Sequence, residues 1–160
     1  MIIAINAVSA KSGGNKTYLE NLINSFRKHN EHTFHIWEPY DSNFKESDNI
    51  ILHETKAVDY NFILRFIYEQ VFLKIQILRI KADVLYSSAQ FGILSKKIPQ
   101  VLLLRNSGGI NKYFLSEMWP YYSIFKKIKI LFRRILSRLT AHFSEVILFP
   151  SYAMKNDFLK

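Results

Sequence analysis

The sequence predicts an α/β domain built on a doubly wound, mostly parallel sheet, and three observations lead there. Apolar runs of strand length recur along the 160 residues, most of them separated by stretches of helical period. The first run, Ile2 to Val8, is too short for a helix and passes through Gly13-Gly14 into an amphipathic segment, the order of a βα unit. All five glycines, and many of the small hydroxyl residues, fall in loops that would follow strands. In such sheets ligands sit outside the carboxyl ends of the strands.

Each element has its own signal. Ile2 to Val8 reads as a strand buried on both faces. Leu19, Leu22, Ile23 and Phe26 lie at i, i+3, i+4 and i+7, so the helix after Gly14 packs one face on that strand. A helix start behind a glycine turn offers free N–H groups and the positive end of the dipole to an anion. The loop matches neither G-x-G-x-x-G nor the P-loop, so an unliganded tight turn stays open as a reading. His32 to Trp37 alternates as a second strand, and Ile50 to His53 is a short third. Tyr60 to Lys81 is a long helical pattern whose sparse polar positions predict that most of it is covered. Asp83 to Tyr86 and Pro99 to Arg105 are further strands, followed by the loops Ser87 to Gly92 and Asn106 to Trp119. Tyr121 to His142 is helical, Val146 to Phe149 is the last strand, and Ser151 caps a final helix.

Composition narrows the classes. At 49% apolar and 15% aromatic residues the chain has the makings of one heavy core, a single domain over residues 1–160. No stretch approaches about 18 uncharged apolar residues, so no span is predicted. The first apolar run lacks a basic segment before it and is read as a strand, not a signal peptide. There are no cysteines, which excludes disulfides and thiolate metal sites. The five histidines show no ligand spacing with carboxylates, so no metal is expected. A net charge of +9 points to a polyanionic partner, or to a basic surface kept for solubility. No nucleic-acid recognition module is present, so nucleic acid is not expected.

The helix from Tyr121 sharpens the charge argument. Lys126, Lys127, Lys129, Arg133, Arg134 and Arg138 share one arc, while Ile124, Phe125, Ile128, Leu131, Phe132, Ile135, Leu136 and Leu139 share the opposite one. The expectation is an apolar stripe on the core and a basic face toward solvent or an anionic membrane. Trp119, Tyr121 and Tyr122 would then sit at the headgroup level.

Several short motifs occur in series: Ile5-Asn6-Ala7 with Ser12-Gly13-Gly14 and Thr17-Tyr18-Leu19; Arg65-Phe66-Ile67-Tyr68-Glu69-Gln70; Ala82-Asp83-Val84-Leu85-Tyr86-Ser87; and Val146-Ile147-Leu148-Phe149-Pro150-Ser151 with Ala153-Met154. In that order they resemble the N-terminal half of family 4 retaining glycosyltransferases, two-domain enzymes of the GT-B fold. The resemblance implies a Rossmann-like, acceptor-side domain, with the donor-binding domain lying beyond this chain. It implies transfer of a sugar from a nucleotide-sugar to a lipid-linked or polysaccharide acceptor, with no cofactor and no metal. Gly13, Gly14 and Asn15 would approach the donor's diphosphate, while Arg105 and Asn106 would hold an acceptor hydroxyl or phosphate. Arg105 stands where many members carry a histidine, and no residue is assigned to the chemical step. A cytoplasmic enzyme, peripheral at the inner face of the membrane and inactive without its donor domain, is what the resemblance describes.

Two other readings compete. Glu38, just after the second strand, occupies the place of a ribose-binding acid in a dinucleotide-binding oxidoreductase. The third reading is a non-catalytic basic adaptor for a membrane or a partner chain. Glu69, inside a mostly apolar helix, is read as structural, since a buried carboxylate must be paired.

Overall fold

The computed structural model describes residues 1–59, 61–88, 90–105, 111 and 116–159. Its strands are β1 (Ile2–Asn6), β2 (Thr33–Pro39), β3 (Ile50–Thr55), β4 (Val84–Ser87), β5 (Gln100–Leu103) and β6 (Val146–Leu148). They form one six-stranded sheet in the order β3-β2-β1-β4-β5-β6, every pair parallel. The doubly wound α/β fold is therefore what the alternation of strand and helix signals predicted. From β1 the chain moves outward through β2 and β3, then returns to the other flank of β1 to build β4, β5 and β6. The reversal leaves a crevice between β1 and β4, the usual ligand position in open α/β sheets.

Among the described residues the longer helices are α1 (Gly13–Phe26), α2 (Phe62–Tyr68), α3 (Lys74–Arg79), α4 (Ile124–Ala141) and α5 (Tyr152–Leu159). Strand β1 is central because it is apolar on both faces. Ala4 joins Trp37, Leu73, Ile77 and Leu85 in one cluster, while Ile5 joins Leu19, Ile23, Phe34, Ile36 and Ile50 in the other. Helix α1 covers one face and the α2–α3 segment the other. A smaller cluster of Leu102, Leu104, Ala141 and Met154 ties β5 to the end of α4 and to α5.

Four local results bear on the expectations. The long helix predicted from Tyr60 begins at Phe62, where Asn61 accepts from the Ile63 and Leu64 amides at 3.1 and 3.0 Å; Tyr60 itself lies outside the described residues. Between α2 and α3 the helix widens into a π-helical turn, Glu69–Leu73, a feature common near functional sites and invisible to a 3.6-residue period. This segment is also less covered than its apolar sequence implied: Ile63, Leu64, Ile67, Val71, Phe72 and Ile75 are exposed. The predicted cap at Ser151 is present, with the Met154 amide 3.3 Å from its hydroxyl.

Helix α4 overturns its expectation. Its inward side carries Leu136, Ser137, Thr140 and Ala141, all buried, and half-buried Arg133. Apart from Leu136, and Phe132 which meets the Phe62 ring, its apolar arc points away from the body, with Phe125 83% and Ile128 60% exposed. The arc expected on the core is the free one, and part of the basic arc expected in solvent is turned inward. The reason is the sheet edge beneath it. β6 is only three residues long, and the main contact, Ala141 with Leu102 and Leu104, lies at the helix's last turn.

Candidate functional site

A cavity of about 390 Å³ opens at the carboxyl ends of the strands, lined by Ser9, Asn15, Arg65, Ser88, Gln90, Leu103, Arg105 and Arg133. Ser9 follows β1 and Ser88 follows β4, so the cavity sits at the reversal of strand order. The Ser88 amide and hydroxyl both donate to the Asn6 carbonyl, at 3.0 Å each, which holds the two loop starts together.

Three arginines reach this space from three elements: Arg65 from α2, Arg105 just past β5, and Arg133 from α4. The Arg105 guanidinium lies 4.3 Å from the centre of the Tyr18 ring and donates to the Ser88 carbonyl at 3.4 Å. Tyr18 of α1 is in turn hydrogen-bonded to the hydroxyl of Tyr86, whose pKa burial pushes up. The conformation of Arg105 is thus set by a stack on α1 and a carbonyl of the β4 loop. Arg133 lies 4.9 Å over the Phe62 ring, and burial together with the like charge of Arg65 lowers its pKa. Arg65 Nε stands 3.5 Å from Glu69 Oε1, an ion pair without hydrogen-bond geometry.

Glu69 is fully buried at the start of the π-helical turn. Burial raises its pKa to about 7 against the pull of Arg65, so its protonation is poised near neutrality. The expected structural pairing is present, with Arg65 as the partner. On the other flank of β1, Glu38 is also raised to about 7, chiefly by burial. It is 1% exposed, with Glu54 and Glu46 among its neighbours. The acid that the dinucleotide reading singled out is thus closed to solvent in this structure.

Of the other sequence-predicted site residues, Asn15 and Arg105 line the cavity together, while Asn106 lies outside the described residues. Gly13 and Gly14 are exposed at the start of α1, and no atom stands within 4 Å of a Cβ placed on either. Gly13 has φ +61°, a conformation that favours glycine. Sequence reasoning missed Arg65 and the inward role of Arg133. The RxxYEQ segment held the first signal; the second required knowing which way α4 faces.

Of the six basic residues predicted to face a membrane, Lys126, Lys129 and Arg138 are exposed. Lys127, Arg133 and Arg134 are partly buried, and Arg133 belongs to the cavity. A second cavity, about 430 Å³ and mostly apolar, lies between α2 and α4, lined by Asn61, Phe62, Ile63, Phe125, Ile128, Lys129 and Phe132. No helix among the described residues is long and apolar enough to cross a membrane. Compared with known protein families the chain matches none, and no curated protein matches its sequence.

Proposed function

We propose that this chain is the acceptor-side half of a glycosyltransferase, moving a sugar from a nucleotide-sugar to a lipid-linked or polysaccharide acceptor at an anionic membrane. The observation that carries the reading is the cavity at the strand-order reversal, where Asn15 at the head of α1 meets Arg105 at the end of β5. The motif series of the sequence supports it. Here the open space over Gly13 and Gly14 leaves room for a diphosphate, and the arginines supply cations for a phosphorylated acceptor. The donor domain would come from the same or another chain, and it would supply most of the stabilisation of the leaving diphosphate. Location at the inner face of the membrane is supported by the exposed apolar arc of α4 with its flanking lysines.

The exposed arc also favours a second reading, a non-catalytic membrane adaptor. One experiment separates the two: nucleoside diphosphate release from nucleotide-sugars, with membrane extracts as acceptor, by the chain joined to a donor domain. Acceptor-dependent release that Arg105→Ala reduces at least about tenfold supports transfer. No release from any nucleotide-sugar, with vesicle binding intact, supports the adaptor. The 160-residue chain alone is expected to release none.

A further inference from the structure

The cationic cavity and the apolar groove share a wall. Arg133 lines the first, its guanidinium rests on the Phe62 ring, and Phe62 lines the second. Lys129, one turn before Arg133, reaches the same ring at 5.7 Å and lines the groove. The T-shaped pair of Phe62 and Phe132 forms part of the groove, with ring centres 5.9 Å apart.

The cavity is arranged for an anion. Among the described residues only Arg65 of its three arginines has a carboxylate partner. In all three the Nε is buried without a hydrogen-bond partner among the described residues. Three guanidinium groups converging on one carboxylate repel one another, and a multiply charged oxyanion offsets that repulsion while satisfying the free N–H groups. The groove alongside offers Ile63, Phe125 and Ile128 to a hydrocarbon chain.

We propose that the two cavities seat one amphiphilic phosphate, its phosphoryl or diphosphoryl group among Arg65, Arg105 and Arg133 and its hydrocarbon chain along Phe62 and Phe132. The structure holds the polar and apolar halves of this ligand in register through the Arg133–Phe62 stack. As a statement about the acceptor, a lipid phosphate, this rests on the transfer reading; occupancy of the cavities does not.

Calorimetric titration with farnesyl diphosphate, pyrophosphate and farnesol tests the proposal. Farnesyl diphosphate should bind with one-to-one stoichiometry, about tenfold or more tighter than pyrophosphate, and farnesol should bind more weakly than farnesyl diphosphate. Arg105→Gln and Arg133→Gln should each weaken both diphosphates about tenfold or more. Phe132→Ser should erase only the advantage of the farnesyl chain. Lys28→Gln, an equal charge change just beyond the C-terminus of α1, should alter nothing. Because the arginines repel one another, the melting temperature of the unliganded Arg133→Gln form should hold or rise. Equal binding of farnesyl diphosphate and pyrophosphate would overturn the proposal. So would farnesol binding as tightly as farnesyl diphosphate, losses shared with Lys28→Gln, or a lowered melting temperature of Arg133→Gln. Vesicles containing phosphatidic acid separate a bilayer headgroup from a free lipid phosphate: binding seen only with vesicles overturns the cavity site. Turnover is not read in any of these arms, so intact binding with failed transfer would overturn the functional reading alone.

Discussion

Helices α1 and α4 carry the same kind of apolar periodicity, yet they turn opposite faces to the sheet. In α1, Leu19 and Ile23 lie against Ile5, Phe34 and Ile36, and they are buried. In α4 most of the equivalent stripe, from Ile124 to Leu139, faces outward; Leu136 alone of it joins Arg133, Ser137, Thr140 and Ala141 on the packed side. Helix α1 crosses a central pair of strands, where apolar area is available along its length. Only the last turns of α4 find a core, where Ala141 meets Leu102, Leu104 and Met154 beside the three-residue edge strand β6. Periodicity identifies the stripe in both helices; the partner beneath decides what the stripe is for.

The largest expected effect tests that contrast through stability. Leu19→Ala should cost about 2–5 kcal/mol in chemical denaturation, the price of a cavity in a closed core. Ile128→Ala on α4 should change stability by no more than about 0.5 kcal/mol, because the residue is already in solvent. Similar losses at both positions would erase the distinction between the helices.

A second difference lies in what the flanking layers bury. Leu19 and Ile23 of α1 lie in an apolar cluster, whereas the π-helical turn that follows α2 buries the carboxylate of Glu69. In the folded state its pKa is about 7, above its ordinary value of 4.5, so the folded form holds the proton more tightly. That contribution is full below about pH 4.5 and is lost as the pH rises through 7. Glu38, shifted in the same direction, adds to the same slope. Glu69→Gln should therefore flatten the decline in melting temperature between pH 5 and pH 8, with a gain on the order of 3 kcal/mol at pH 8. An unchanged slope would mean that Glu69 is ionised throughout.

Membrane contact is the third point of comparison. Phe125→Ser with Ile128→Ser should weaken binding to vesicles containing anionic lipid about tenfold in cosedimentation, by removing apolar area from the interface. Lys126→Glu should weaken it less, by an amount that shrinks as salt rises. A larger effect from the lysine would return the contact to the basic residues.

The smallest effects concern the start of α1. Gly13 has a positive φ, so Gly13→Ala should cost about 1–2 kcal/mol in denaturation. Gly14→Ala has open space and no such strain, and should gain up to about 1 kcal/mol from helix propensity. Equal effects at the two positions would place the turn elsewhere.

Much of this was legible in the sequence, and the exceptions are physical. The strands could be read because central strands of a parallel sheet are apolar on both sides, as Ile2 to Asn6 is. Asn15 and Arg105 could be placed in a common site because the turn from β1 into α1 and the end of β5 both lie at the carboxyl edge of the sheet. Arg65 could not, since its position depends on the turn of α2 over the sheet and on a π-helical turn that no periodicity reveals. Arg133 was legible as part of a basic arc, but the direction of that arc was not. A helical wheel has no outside until the partner it packs on is known.

Thiol labelling reads the orientation of α4 in solution. The chain contains no cysteine, so a single introduced thiol reports one position without background. The thiol of Ile128→Cys should react with a water-soluble maleimide at the rate of an unfolded control, and become protected when vesicles containing anionic lipid are added. The thiol of Ile23→Cys should be protected under both conditions, because its position is closed in the folded protein. Protection of Ile128→Cys in the free protein would contradict the account, since the apolar arc would then lie against the body of the domain.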